Sequence, residues 1–125
     1  VLFIDYALND RNLVPKDSVA SLRRSYEATE KMVKAALAKN IKVILLTAFP
    51  DQCENILQPT AQLQQYTSQL IDLAKKYNIG LVDSYASFRK QVSEGHPLTG
   101  FMSQVNHPNE KGHMLIAQAI IQWFR

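Results

Sequence analysis

Short β-branched apolar runs alternate with amphipathic helical stretches along this chain, and that alternation restricts the fold more than any other feature. Residues 1–6, 42–48 and 79–83 are the apolar runs, with Lys-Val-Ile-Leu-Leu-Thr-Ala at 42–48 the strongest. Runs of this kind read as strands buried on both faces in a parallel sheet. Between the first two, Val19, Leu22, Tyr26, Thr29, Val33, Ala36 and Leu37 recur at three-to-four spacing and predict a helix over 18–39. Asp17 or Ser18 can cap its start and Asn40 its end. Between the second and third runs, Leu63, Tyr66, Leu70, Leu73, Ala74 and Tyr77 predict a second helix over 60–77. A short helical patch follows near 84–92, then a loop with Gly95, His96, Pro97 and Gly100. A last helix spans 109–124, with Met114, Leu115, Ala117, Ile120, Ile121 and Phe124 facing inward.

Strands joined by helices of this length pair in parallel through right-handed crossovers. The expected fold class is therefore α/β: a three-layer α/β/α sandwich around a flavodoxin-like parallel sheet. In open sheets of this type ligands sit beyond the carboxyl ends of the strands, which puts Asn9, residues 47–50 and residues 83–84 on one rim.

The 125 residues, 46% of them apolar, suffice for one packed domain over 1–125. The 14 basic and 11 acidic residues are scattered, with no run longer than Arg23-Arg24 or Lys75-Lys76, so no nucleic-acid partner is indicated. One cysteine, Cys53, excludes an internal disulfide and a cysteine-based zinc site. No run approaches a membrane span, and both secreted or periplasmic and cytoplasmic locations remain open. The chain opens on Val1 in mid-strand, so the domain is expected to be N-terminally incomplete.

Taken singly, the chemically capable residues have ordinary readings. Asn9-Asp10 after a strand makes a turn or a helix cap. Asp83 caps the short helix behind it. Ser84 lies on the same rim without a Gly-x-Ser-x-Gly elbow. Asp51 and Glu54 near the rim are isolated, and no paired-carboxylate arrangement is evident. His96 reads as a surface loop residue and His113 as a packing or hydrogen-bonding residue. His107 and His113 are six apart, off a common helical face, so no metal site is expected. His107 itself stands at a proline-stiffened corner ahead of the last helix.

Two stretches together go further. Phe3-Ile4-Asp5-Tyr6-Ala7-Leu8-Asn9-Asp10-Arg11 and His107-Pro108-Asn109-Glu110-Lys111-Gly112-His113 resemble two of the signature blocks of the SGNH (GDSL-type) serine hydrolases. The resemblance implies a five-stranded parallel sheet in 2-1-3-4-5 order, of which this chain supplies strands 3, 4 and 5. It implies that Asn9 donates its side-chain N–H to an oxyanion and that His107 is the general base for an acyl-serine mechanism without a cofactor. Ala7 stands where the family has glycine. Gln104 stands where the family has the triad aspartate, so Gln104, Asn106 or a nearby main-chain carbonyl is the expected orienting partner of Nδ1 on His107. The Gly-Asp-Ser block does not occur here, so the nucleophile would come from sequence outside residues 1–125. The implied substrate is a small-molecule or carbohydrate ester, with an acetylated sugar, a short-chain acyl ester and a lysophospholipid all open. Residues 1–6, central in the family sheet, are expected to pair with a missing N-terminal segment or a second chain. Gln104 and the lack of the serine favour the alternative, a non-catalytic module of this fold that binds carbohydrate or protein. A doubly wound nucleotide-binding domain is opposed by the lack of a Gly-rich phosphate loop.

Overall fold

The computed structural model describes residues 1–11 and 18–125. Strand β1 (Leu2–Ile4) leads into a one-turn helix α1 (Ala7–Asp10), and α2 (Ser18–Leu37), β2 (Val43–Leu46), α3 (Gln62–Tyr77), β3 (Gly80–Val82) and α4 (Ser84–Ser93) follow. A 3₁₀ turn (Leu98–Phe101) then precedes a small hairpin, β4 (Met102–Gln104) and β5 (His107–Pro108), before α5 (Glu110–Ile121) and a terminal 3₁₀ turn (Gln122–Phe124). Strands β1, β2 and β3 are parallel and adjacent in that order, with Phe3 opposite Ile44 and Leu45 opposite Leu81. This is the expected α/β class and the expected strand order.

Alternation along the strands decides what each face meets. Ile4, Val43 and Leu45 point to the side covered by α2 and α3, where they join Val33, Leu63, Tyr66 and Leu73 in the main core. Ile44, Leu46 and Val82 point to the other side, where Ala119 and Ile120 of α5 pack on them. Helices therefore lie on both faces of the sheet.

The helix boundaries follow local chemistry. Asn40 at φ 55° and Asn78 at φ 50° take the left-handed conformation that ends α2 and α3, a role asparagine fills at low cost. The Asp83 carboxylate caps α4 as expected, accepting the Ala86 N–H at 3.0 Å. The expected caps of α2, Asp17 and the Ser18 side chain, lie outside the described residues. Val19, expected to face inward, is 74% exposed because the buried face of α2 begins at Ser21 and Ser25. The last helix is likewise rotated from expectation. Gly112, Leu115, Ile116, Ala119 and Ile120 turn toward the protein, whereas Met114, Ala117, Ile121 and Phe124 are exposed. A nearly uniform apolar helix gives periodicity little to choose between, and the close approach at Gly112 sets the rotation.

Helices α2 and α3 are clasped at the surface by Glu30, whose Oε1 accepts from Lys76 Nζ at 2.7 Å and from the Tyr77 hydroxyl at 2.6 Å. These bonds, the Lys76 one foremost, hold the Glu30 carboxyl down to about 2. A folded-state value below the unfolded one contributes stability above the unfolded range, lost as pH falls through about 2. Glu30→Gln is expected to be less stable than the parent at pH 7 and equal to it at pH 2, as read from urea midpoints at the two pH values.

Candidate active site

The loop carrying His107 is assembled backward from α5. Asn109 caps the helix by accepting the Gly112 N–H at 3.1 Å, while its Nδ2 donates to the Gly100 carbonyl at 3.1 Å and its main-chain N–H to the Phe101 carbonyl at 2.9 Å. One side chain thus starts α5 and fastens it to the segment ahead of the hairpin. Gly112 is required by the same packing: a Cβ there would stand 2.3 Å from the Phe101 carbonyl oxygen and 2.8 Å from Cβ of Pro108. The His-Pro-Asn-x-x-Gly spacing is therefore that of a helix cap and a close backbone approach, with the histidine as its free end.

His107 pairs across the hairpin with Gln104, and its side chain is exposed. The Ser103 hydroxyl donates to the main-chain oxygens of His107 and Pro108 at 3.1 and 3.3 Å. Neither Gln104 nor Asn106 bonds to the imidazole, and among the described residues its ring nitrogens have no hydrogen-bond partner. The expected orienting bond to Nδ1 is thus not made in this structure.

Asn9 lies in α1, one helical turn beyond the strand, and is exposed with no side-chain partner among the described residues. Ala7, in the family's glycine position, is helical and 4% exposed, so its methyl group contributes to the core and its backbone needs no glycine. The turn is held on both sides. Asp10 accepts from the Ser25 hydroxyl on α2 at 2.5 Å. Arg11 reaches the β2–α3 loop, where its guanidinium pairs with Asp51 at 2.5 Å and Glu54 at 2.8 Å.

Asp51 and Glu54 are therefore not isolated, as their sequence context suggests. The Arg11 side chain is 10% exposed and that of Asp51 5%. Burial opposes the charge on Arg11, but the hydrogen bonds and charges of the two carboxylates outweigh it and raise the guanidinium further. Burial likewise works against ionised Asp51, yet Arg11 and the Cys53 N–H, bonded at 2.7 Å, leave its carboxyl below the ordinary value. Glu54 also accepts the Leu63 N–H at the start of α3. Nearby, burial first and the Glu54 charge second push the Tyr85 hydroxyl up to about 12, so it stays neutral.

Gln52, between these acids, turns toward the hairpin. Its main-chain N–H donates to the Val105 carbonyl at 2.8 Å and its Nε2 to the Gln104 carbonyl at 2.9 Å. The elements carrying Asn9 and His107 are thus joined through one loop beyond the carboxyl end of β2. No short-range spacing could reveal this link, because Arg11 and its acids are 40 and 43 residues apart.

The other rim residues have structural roles. Ser84 is 1% exposed, its hydroxyl buried without a partner among the described residues, so it offers no accessible nucleophile. Thr47 links the ends of β2 and β3 by donating to Asp83 Oδ1 at 3.1 Å and accepting the Tyr85 N–H at 3.0 Å. His96 is exposed as expected, whereas His113, expected to pack or bond, is also exposed. Among the described residues no three His, Cys, Asp or Glu side chains are grouped to hold a metal ion, and no helix is long and apolar enough to cross a membrane.

No protein-family model matches the chain, and no curated protein matches its sequence. Solved structures do. The acetylxylan esterase Axe2 from Geobacillus stearothermophilus superposes with a TM-score of 0.73 at 21% identity over 96% of this chain and 56% of its own. LAE5, an alpha/beta hydrolase enzyme from the metagenome of Lake Arreo, Spain, gives 0.69 at 22% identity over 96% and 56%. A member of the lipolytic protein G-D-S-L family from Veillonella parvula gives 0.62 at 20% identity over 88% and 55%. The chain spans a little over half the length of each. Structures of Axe2 catalytic mutants, in which a serine, an aspartate or a histidine is replaced by alanine, match as well. The parallel strand order, the helices on both faces and these likenesses give this chain the fold of the GDSL-type (SGNH) hydrolases.

Proposed function

We propose that this chain carries the oxyanion-donor and general-base portion of an ester-hydrolysing site, with Asn9 and His107 in those two roles. The observation that carries the reading is the junction at Gln52: two exposed, chemically capable side chains stand on elements braced against a single loop on the ligand-binding rim of the sheet. A bound ester would present its carbonyl oxygen to the Asn9 amide. His107 would take the proton of a serine hydroxyl as it attacks and return it to the departing alcohol. The acyl-serine intermediate needs no cofactor. The names of the matching structures favour acetyl or short acyl esters, carbohydrate esters among them.

The serine belongs to a segment outside residues 1–125, and that segment, or a second chain, pairs along β1. Two features support this. Strand β1 has β2 as its one strand neighbour among the described residues, with Leu2 and Phe3 38% and 40% exposed. The matching structures also contain a length of chain that this one does not span. Gln104 in the acid position, exposed and unbonded to the imidazole, favours the second reading, a binding module without catalysis. Hydrolysis of an aryl acetate separates the two. A polypeptide that adds the serine-bearing segment to residues 1–125 is expected to be active, and His107→Ala to lose about 10⁴-fold or more in kcat. Hydrolysis by residues 1–125 alone that survives His107→Ala would place the chemistry elsewhere, and an inactive but folded complete polypeptide would favour the binding module.

A further inference from the structure

We infer that Arg11 is a positioning residue that sets the His107 hairpin relative to the Asn9 turn, acting through the Asp51–Glu54 loop and Gln52. This rests on the proposed roles of Asn9 and His107 for its catalytic consequence, but the mechanical link does not. Arg11 follows α1 directly, two residues from Asn9. Its fork engages two carboxylates at once, so both the position and the angle of the loop are fixed, which a single point charge would not do. The carboxylates have further bonds of their own: Asp51 to the Cys53 N–H, Glu54 to the Leu63 N–H that opens α3. The loop therefore cannot swing to follow the guanidinium, and Gln52 is presented outward with both of its donors on carbonyls 104 and 105.

On the far side the hairpin is held by α5 through Asn109 and Gly112. Toward the β2–α3 loop its hydrogen bonds among the described residues are the two from Gln52. With the His107 ring unbonded among the described residues, the imidazole is placed by where its backbone is placed. Misplacement of a catalytic group by about 1 Å costs on the order of 100-fold in rate, so the link bears on turnover far more than on substrate affinity.

Hydrogen exchange on residues 1–125 tests the mechanical link without reference to activity. Arg11→Ala is expected to speed exchange at residues 104–107 at least tenfold, with β2 and the centre of α3 unchanged, and Arg11→Lys to restore part of the protection. Gln52→Ala, which leaves the buried ion pairs in place, should speed exchange in the same hairpin, and Arg11→Ala with Gln52→Ala together should do no more than Arg11→Ala alone. A hairpin unaffected by Gln52→Ala, or additive effects of the two changes, would overturn the inference. If Arg11→Ala speeds exchange everywhere, Arg11→Lys and Gln52→Ala decide it. In the serine-supplemented polypeptide, Gln52→Ala and Arg11→Lys should lower kcat about 10- to 100-fold with KM unchanged. A change confined to KM would refute the positioning role. Absence of hydrolysis from the unmutated polypeptide would reject the esterase reading while leaving the exchange result standing.

Discussion

Gly112→Ala is expected to destabilise the chain by about 3 kcal/mol, measured as a lower urea midpoint at unchanged slope. The added methyl group would meet the Phe101 carbonyl oxygen at 2.3 Å, Pro108 Cβ at 2.8 Å and Phe88 Cε1 at 3.3 Å. The first of these is backbone, and it belongs to a residue whose carbonyl is already bonded to the Asn109 N–H. Relief therefore requires α5 to lift from the 3₁₀ turn, which would also stretch the bonds of Asn109 to the Gly100 and Phe101 carbonyls. Helix propensity alone would make alanine better than glycine here by about 1 kcal/mol, so a loss of stability isolates the steric cause. An alanine variant as stable as the parent would show that α5 does not sit as close as described. Gly95, at φ 91° with open space around it, gives a contrasting control in which any cost comes from backbone conformation.

Replacing Arg11 with methionine should cost about 3 kcal/mol at neutral pH, because it keeps most of the volume and leaves the buried Asp51 and half-buried Glu54 carboxylates without their cation. The penalty depends on pH with a definite sign. In the parent the Asp51 carboxyl lies below its ordinary 3.8, so the stability it contributes is complete above that value and is lost as pH falls through the folded-state value. Without Arg11, burial remains the main influence on that group and favours its neutral form, so acid relieves the variant. The two proteins should therefore differ most at pH 7 and approach one another near pH 3, as followed by urea unfolding across that range. A difference independent of pH would assign the cost to lost packing of the Arg11 stem and not to uncompensated charge.

How far the sequence could be read depended on the range over which each signal acts. The three strands, the helices α2 to α4 and their order were legible because each has its own apolar period, and Asn40, Asp83 and the parallel order of β1 to β3 fell where local chemistry put them. The hairpin β4–β5 was not legible, since two short strands, one of them half proline, carry no alternation to detect. The rotation of α5 was lost for the opposite reason, too many apolar residues around one helix. Around the candidate site, the His107 motif was visible while its cause was not: the apolar pattern put Asn109 inside the last helix and not at its cap, and the need for glycine at 112 depends on where Phe101 lies. The clasp that joins Arg11, Asp51, Glu54 and Gln52 was not legible, and the two acids read as isolated, because their partners are tens of residues away and meet only when β1 and β2 lie side by side.

The single tryptophan gives this molecule an unusual optical signature. Trp123 stands in the terminal 3₁₀ turn, 49% exposed, its indole N–H bonded to the Leu81 carbonyl of β3 at 3.1 Å. It lines a hollow of about 560 Å³ with Phe124, Val43, Ile79 and Gly80, at the end of the sheet away from His107. Intrinsic fluorescence therefore reports on the seating of the chain's last turn against the sheet, while far-ultraviolet circular dichroism reports on the long helices. If α5 detaches before the core melts, the emission will shift to the red at lower denaturant than the dichroic signal falls, and the two curves, overlaid, give the separate stability of the element that holds the histidine loop.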